Sequence, residues 1–226
     1  MTLLRTLSIA LALMLWVLPA LSQTTVQVHS GSEFWIEGSS SVNRFTCQVD
    51  SVAGNGQLAT AQHTSLDDAR GVSANPEAHL QVPVRTFDCG KRRMTEDLHE
   101  TLQAQNHPFI RYTLNHAELI PTDSTTTGHR IRARGTLTIA GTERAIELVA
   151  RGRRIGPNQF RLCGSRTLKM SDFGIEPPTK FFGLIRVKDS IEVNFDLIAT
   201  SETNSSAPAL AAQDSVIDSS TRLCSL

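Results

Sequence analysis

The chain has no surplus of either charge, since 22 lysines and arginines balance 22 aspartates and glutamates. A neutral chain exerts no net pull on nucleic acid, and no RNP, zinc-finger or helix-turn-helix pattern is present. Aromatic residues make up only 5%, which argues against a surface for stacking bases. Catalytic and metal motifs are missing as well. The seven histidines form no H-x-H, H-x-x-x-H or H-E-x-x-H pair. His107 and His116 flank an extended run, but their odd spacing puts them on opposite faces of it. No G-x-S-x-G elbow occurs, and neither phosphate-binding glycine loop does. Asp67-Asp68 near Gly71 offers too few ligands for a cation and reads as an exposed turn. Asn204-Ser205-Ser206 fits a glycosylation acceptor, a pattern too frequent to carry weight. No catalytic residue, metal or resident cofactor is therefore expected, and a binding module is favoured over an enzyme.

Long apolar runs are confined to the start of the chain. Arg5 precedes an apolar stretch from Leu7 to Leu18 broken only by Ser8, and small residues follow at Ala20 and Ser22. That pattern predicts a secretory signal over 1–22, cleaved before Gln23. The run is shorter than the roughly 20 residues a spanning helix needs. Removal would leave 226 − 22 = 204 residues, enough for one domain with tails. Export implies an oxidising compartment, so the four cysteines read as disulfides. None of them lies close enough to another for a zinc site. Cys47 and Cys89 end two extended runs, so the expected pairing is Cys47–Cys89 with Cys163–Cys224. The alternative leaves Cys224 free or cross-linking two chains.

What the sequence does have is alternation. In Ile191–Leu197, Ile191, Val193, Phe195 and Leu197 alternate with Glu192, Asn194 and Asp196, the period of a half-buried strand. Ile131, Ala133, Gly135, Leu137 and Ile139 likewise share one face, opposite Arg130, Arg132 and Arg134. The arginines read as a solvated exterior. Gly141 supplies a tight turn into the next run. Further runs at Leu80–Phe87, Ile110–Ile120, Gln159–Met170 and Leu184–Lys188, after a bent pair over Glu33–Val52, predict an all-β antiparallel barrel of about eight strands. Residues 23–32 read as a loose lead-in, 33–199 as the barrel, and 200–226 as a flexible Ser/Ala/Thr-rich tail. Asn55–Pro76 reads as irregular. One segment has a different period. Met94, Leu98 and Leu102 are spaced by four, predicting an amphipathic helix near Met94–Gln105 with Glu96 and Asp97 in its first turn.

The alternation nominates a lining: Ile36, Phe45, Val82, Val84, Tyr112, Leu114, Leu137, Ile139, Leu148, Phe160, Leu162, Met170, Ile185, Val193, Phe195 and Leu197. A barrel of about eight strands is just wide enough to enclose one small ligand. A filled core and a hollow one share the same pattern, so alternation leaves both open. Arg92 and Arg93 before the helix, and Lys180 in the loop Glu176–Phe182 beside Phe181 and Phe182, are candidate cations for a lipid headgroup, if helix and loop rim one mouth.

Three stretches carry a resemblance. The first runs from Cys89-Gly90-Lys91-Arg92-Arg93-Met94 through Leu98 and Leu102 to His107-Pro108-Phe109-Ile110-Arg111-Tyr112. The second is Gly135-Thr136-Leu137-Thr138-Ile139-Ala140-Gly141-Thr142. The third is Leu168-Lys169-Met170-Ser171-Asp172-Phe173-Gly174-Ile175, then Pro177-Pro178, Gly183 and Val193-Asn194-Phe195-Asp196-Leu197. In order and spacing, with Phe34-Trp35-Ile36-Glu37-Gly38-Ser39-Ser40 through Phe45 at the front, they resemble the YceI-like family over about Glu33–Ala199. The resemblance implies a lipocalin-like barrel, periplasmic or secreted, that carries or sequesters a polyisoprenoid or quinone-like lipid. The expected partner is a lipid-like small molecule, with transient membrane contact. The alternative is an enzyme or redox partner acting on such a lipid. The four cysteines and the tail are not part of the resemblance.

Overall fold

The computed structural model describes residues 23–29, 31–49, 52–59, 73–74, 77–121, 128–180 and 182–203. The expected export signal, the Asp67-Asp68 turn, Cys224 and the tail from 204 onward lie outside these residues. In chain order the elements are β1 (Gln23–Val28), β2 (Glu33–Ser39), β3 (Arg44–Val49), β4 (Ala53–Ala59), β5 (Ser73–Ala74), β6 (Glu77–Pro83) and β7 (Phe87–Asp88). Then come α1 (Arg92–Thr101), β8 (Phe109–Ile120), β9 (His129–Ile139), β10 (Thr142–Arg154) and β11 (Gln159–Lys169). Last are β12 (Thr179–Lys180), β13 (Ile185–Arg186) and β14 (Ser190–Thr203). Short 3-10 turns occupy Val84–Thr86 and Met170–Phe173.

The strands close into an eight-strand antiparallel barrel, β1-β4-β6-β8-β9-β10-β11-β14, and β14 pairs back onto β1. β2, β3 and β7 continue the first three staves past a break, because β14 also pairs β2, β2 pairs β3, and β3 pairs β7. The breaks fall at one level: His29–Ser32, the link between Val49 and Ala53, and the turn Val84–Thr86. At the first break the ladder is mended by a side chain. Ile198 donates its N–H to Ser32 Oγ at 2.9 Å, and His29 N–H donates to Ile198 O at 2.8 Å. A buried backbone group must find a partner, and here a hydroxyl stands in for the missing strand.

Three expectations need correction. Residues 23–32 are not a loose lead-in, because β1 supplies the stave that joins β4 to β14 and closes the barrel. The barrel does not end at 199, since β14 continues to Thr203 against β1. Asn55–Ala59 is strand rather than irregular loop, for it pairs β1. These pieces are short and largely polar, so closure, not local composition, makes them strands.

The helix starts two residues earlier than its apolar stripe implies. Arg92 and Arg93 form its first turn instead of preceding it, and no acidic residue lies in that turn. Cations there oppose the helix dipole, so tertiary anchoring must outweigh it. Cys89 is bonded to Cys47, Gly90 turns the chain at φ 72°, and Cys89 N–H donates to Thr95 Oγ1 at 3.0 Å. The helix also ends at Thr101 rather than near Gln105, because the chain turns out of the helix there, with Gln103 at φ 53°. On the exterior, Arg132 and Arg134 pair with Glu118 and Glu147 of the flanking strands, at 2.6 Å for Arg132–Glu118 and 2.8 Å for Arg134–Glu147. The solvated arginine face is thus a cross-strand ladder, and the Arg132 hydrogen bond holds the Glu118 carboxyl below its usual range.

The Cys47–Cys89 disulfide closes a loop with a sequence separation of 42. Cys163 is also disulfide-bonded; Cys224, its expected partner, is outside the described residues. Replacing Cys47 and Cys89 together by serine is expected to destabilise the protein by about 4 kcal/mol on the chain-entropy model. Denaturant unfolding with Cys163 intact would measure this, and an unchanged midpoint would contradict it.

Candidate functional site

Inside the barrel is a cavity of about 1740 Å³. Every stave contributes to its wall, from Val26 and Val28 of β1 to Val193, Phe195, Leu197 and Ala199 of β14. All the residues nominated from alternation border it except Val84. Val84 is 1% exposed. It sits in the 3-10 turn that replaces the strand after Pro83, so the alternation that placed it inward beside Val82 no longer applies.

The wall is packed in one half and open in the other. Toward α1, the residues Phe34, Ile36, Val49, Val82, Phe87, Leu102, Ile110, Ile139, Leu168, Met170, Phe173 and Ile175 form a buried cluster. Farther along, Leu114, Leu148, Phe160 and Leu162 point inward yet stay only half-buried. Inward apolar side chains that keep accessible surface mark a hollow barrel. A space this size would hold on the order of fifty waters at ~30 Å³ each, against a wall that gives them few partners.

Glycines make part of that room. Gly38 lies opposite Phe45, and Gly164 opposite Phe195, in register; Gly135 lies diagonal to Tyr112. A Cβ at any of the three would collide with the aromatic ring. Each ring therefore lies flat over a neighbouring glycine instead of projecting across the lumen. Nothing in the alternation signals these pairs except a glycine in the inward phase opposite an aromatic.

Polar residues such as Asn55, His79 and Arg153 also border the cavity, and two lining residues, Tyr112 and Arg153, bury a polar atom without a hydrogen-bond partner. In Tyr112 that atom is the hydroxyl. Burial pushes its pKa up to about 12. A hydroxyl buried without a partner costs roughly 1–3 kcal/mol.

At the α1 end the cavity is rimmed by three elements. Lys91, Arg93, Met94, Asp97, Leu98 and Thr101 come from the helix and its cap, Lys180, Phe182 and Ile185 from the β12–β13 hairpin, and Ser40 and Asn43 from the β2–β3 turn. The helix and hairpin do meet, through Lys180 Nζ and Asp97 Oδ1 at 2.8 Å. Lys180 is thereby occupied within the protein. Arg92 points away: its side chain is 92% exposed, 3.8 Å from Glu96, and does not border the cavity. Of the three cations nominated for a headgroup, Arg93 is the one on the rim without a carboxylate partner. The helix stripe Met94, Leu98 and Leu102, read from the sequence only as a core face, is part of the lining.

A closed, hollow, antiparallel barrel with an apolar lumen is the architecture of a lipocalin-like protein. The chain belongs to the YceI-like family, whose domain matches residues 22–199. Among solved structures it is similar to BcnA of Burkholderia cenocepacia, at 16% identity and a TM-score of 0.56 over 75% of this chain and 96% of that one. It is also similar to a polyisoprenoid binding domain from Saccharophagus degradans implicated in plant cell wall breakdown, at 14% identity and a TM-score of 0.56 over 78% of this chain and 98% of that one. No curated protein matches the chain.

The sequence contains a single tyrosine, so phenolate absorbance reports Tyr112 alone. Folded protein freed of lipid is expected to titrate near pH 12, while unfolded protein titrates near the ordinary value of about 10. The unfolded state loses its proton first, so stability falls as pH rises from about 10 toward 12. A folded-state midpoint at the ordinary value would show that the hydroxyl is solvated.

Proposed function

We propose that the protein is an exported carrier that holds one polyisoprenoid or quinone-like lipid inside the barrel. The observation that carries this reading is the cavity: about 1740 Å³, with a predominantly apolar wall in which the Tyr112 hydroxyl is buried without a partner. An apolar chain gains roughly 0.8 kcal/mol for each methylene it buries. Ten methylenes supply about 8 kcal/mol, the micromolar scale, before ordering costs. Tyr112 adds one directional contact, a hydrogen bond to a carbonyl or hydroxyl on the lipid. A plain hydrocarbon leaves that contact unmade. The relative from Saccharophagus degradans, described as a polyisoprenoid binding domain, supports the ligand class. The Cys47–Cys89 disulfide supports an oxidising destination, periplasmic or secreted.

Protein purified without detergent from its own compartment, extracted with organic solvent and analysed by mass spectrometry, is expected to release a long-chain isoprenoid in stoichiometric amount. Phe195→Asp places a charge in the lumen and is expected to abolish retention or folding. Tyr112→Phe keeps the shape and is expected to weaken binding of a short-chain quinone about tenfold, the worth of one hydrogen bond, while leaving squalene binding unchanged. Protein that carries no lipid and takes up neither probe would defeat the reading.

A further inference from the structure

Three large apolar residues project from the α1 end of the barrel into solvent. Phe182 is fully exposed, Leu184 is 78% exposed and Val42 is 66% exposed. Single exposed apolar residues are ordinary; these three are not single. Phe182 and Leu184 occupy the tip of the β12–β13 hairpin, and Val42 the tip of the β2–β3 turn. The two tips are tied together. Ser41 N–H donates to Arg186 O at 2.9 Å, Ser41 Oγ donates to Leu184 O at 3.2 Å, and Ser40 bridges Val187. Lys180–Asp97 ties the same hairpin to α1. The apolar tips thus stand on one joined rim.

Phe182 is the most telling of them. It holds a left-handed backbone, φ 57°, where a bulky residue is disfavoured. Buried against nothing, it contributes no packing to offset that strain. A strained, exposed aromatic at a cavity mouth fits a contact made elsewhere.

Exposed cations stand around the tips. Arg44, Lys91, Arg93 and Arg186 are exposed. Among the described residues none of these four has a carboxylate partner. Of the acids in the same region, Glu96 and Asp97 are taken by Arg92 and Lys180, Asp88 accepts from Gly90 and Thr95, and Glu176 is exposed at the start of the loop that leads into the hairpin. Apolar tips inside a ring of free cations complement one partner, the surface of an anionic bilayer. Cations meet phosphates while the tips enter the boundary between headgroups and acyl chains.

We propose that this rim is a membrane-docking surface that seats the α1 end of the barrel on an anionic bilayer, with Phe182, Leu184 and Val42 inserted. The same elements also border the cavity mouth, through Ile185, Arg93 and Asn43. Docking therefore sets the cavity mouth against lipid. The surface does not depend on the carrier reading, since vesicle binding needs no cargo.

The experiment is co-sedimentation of the disulfide-intact protein with vesicles of phosphatidylcholine alone, or mixed equally with phosphatidylglycerol. Binding is expected to the mixed vesicles, to be much weaker to phosphatidylcholine alone, and to fall with added salt. The pair Phe182→Ser with Leu184→Ser is expected to weaken it about tenfold or more. Val149→Ser, on an exposed position of the barrel wall, is expected to change nothing. All these positions are exposed, so circular dichroism should stay that of the parent. Phe182→Trp is expected to shift its emission to the blue when mixed vesicles are added. Absence of binding to mixed vesicles overturns the proposal. So does binding that survives the double variant, or that Val149→Ser weakens equally. A protein that docks yet holds no isoprenoid would keep this proposal and defeat the carrier reading, and the reverse result would do the opposite.

Discussion

The barrel depends on what one strand does with both its edges. β14 pairs β11 along almost its whole length, from Lys169↔Ser190 to Gln159↔Thr200. Its other edge is divided, with β2 taking Glu192–Asp196 and β1 taking Ala199–Thr203. If that edge were unpaired, the sheet would be open, with two raw edges and an apolar face exposed to water. Closure is what permits an apolar lumen that is not filled. An open sheet must pack its face against something, whereas a closed one packs against itself around the circumference. The bidentate pair Arg161–Asp196, at 2.6 and 2.7 Å, reinforces the β11–β14 seam from outside. Asp196 is nearly buried there, and its carboxylate keeps the Arg161 guanidinium charged.

Closure also explains which parts of the fold were legible. Residues Ile131–Ile139 and Ile191–Leu197 announce their inward face because every second side chain is apolar over a long run. β1 announces nothing. Its sequence, Gln-Thr-Thr-Val-Gln-Val, reads as polar, and it is a strand because two waiting edges need it. Helix position shows the same hierarchy. The stripe Met94, Leu98, Leu102 located the helix, yet its start was set by the anchored Cys89–Gly90 turn against the local preference of Arg92 and Arg93. Local pattern named the faces, while long-range pairing and a cross-link fixed the ends.

The site was legible in the same partial way. The residues nominated from alternation border the cavity except Val84, where Pro83 had already ended the strand, but other lining residues such as Val28, Leu80, Leu98 and Ile131 were not nominated. Alternation had no means of deciding between filled and hollow, because that depends on volume across the lumen rather than on pattern along a strand. The glycines decide it. Gly38, Gly135 and Gly164 let Phe45, Tyr112 and Phe195 lie along the wall. Side chains there would push the rings inward and consume the space. The Lys180–Asp97 contact was equally invisible, since it joins residues 83 apart in sequence.

The aligned breaks in the first three staves give this barrel two regions with different duties. On the α1 side of the breaks, β2, β3, β7, the disulfide and the two 3-10 turns form a collar whose apolar residues are buried. On the other side, the large inward residues Leu114, Leu148, Phe160 and Leu162 remain half-exposed to the cavity. A collar that is already well packed can stabilise the chain without cargo. That in turn frees the hollow part to be lined for an occupant rather than for its own packing. The arrangement has a consequence for the rim. The elements that carry the exposed tips, the β2–β3 turn and the β12–β13 hairpin, are rooted in the collar and not in the hollow half. The same elements reach the lumen at its mouth, where Asn43 and Ile185 border the cavity, so the rim joins the packed collar to the hollow half.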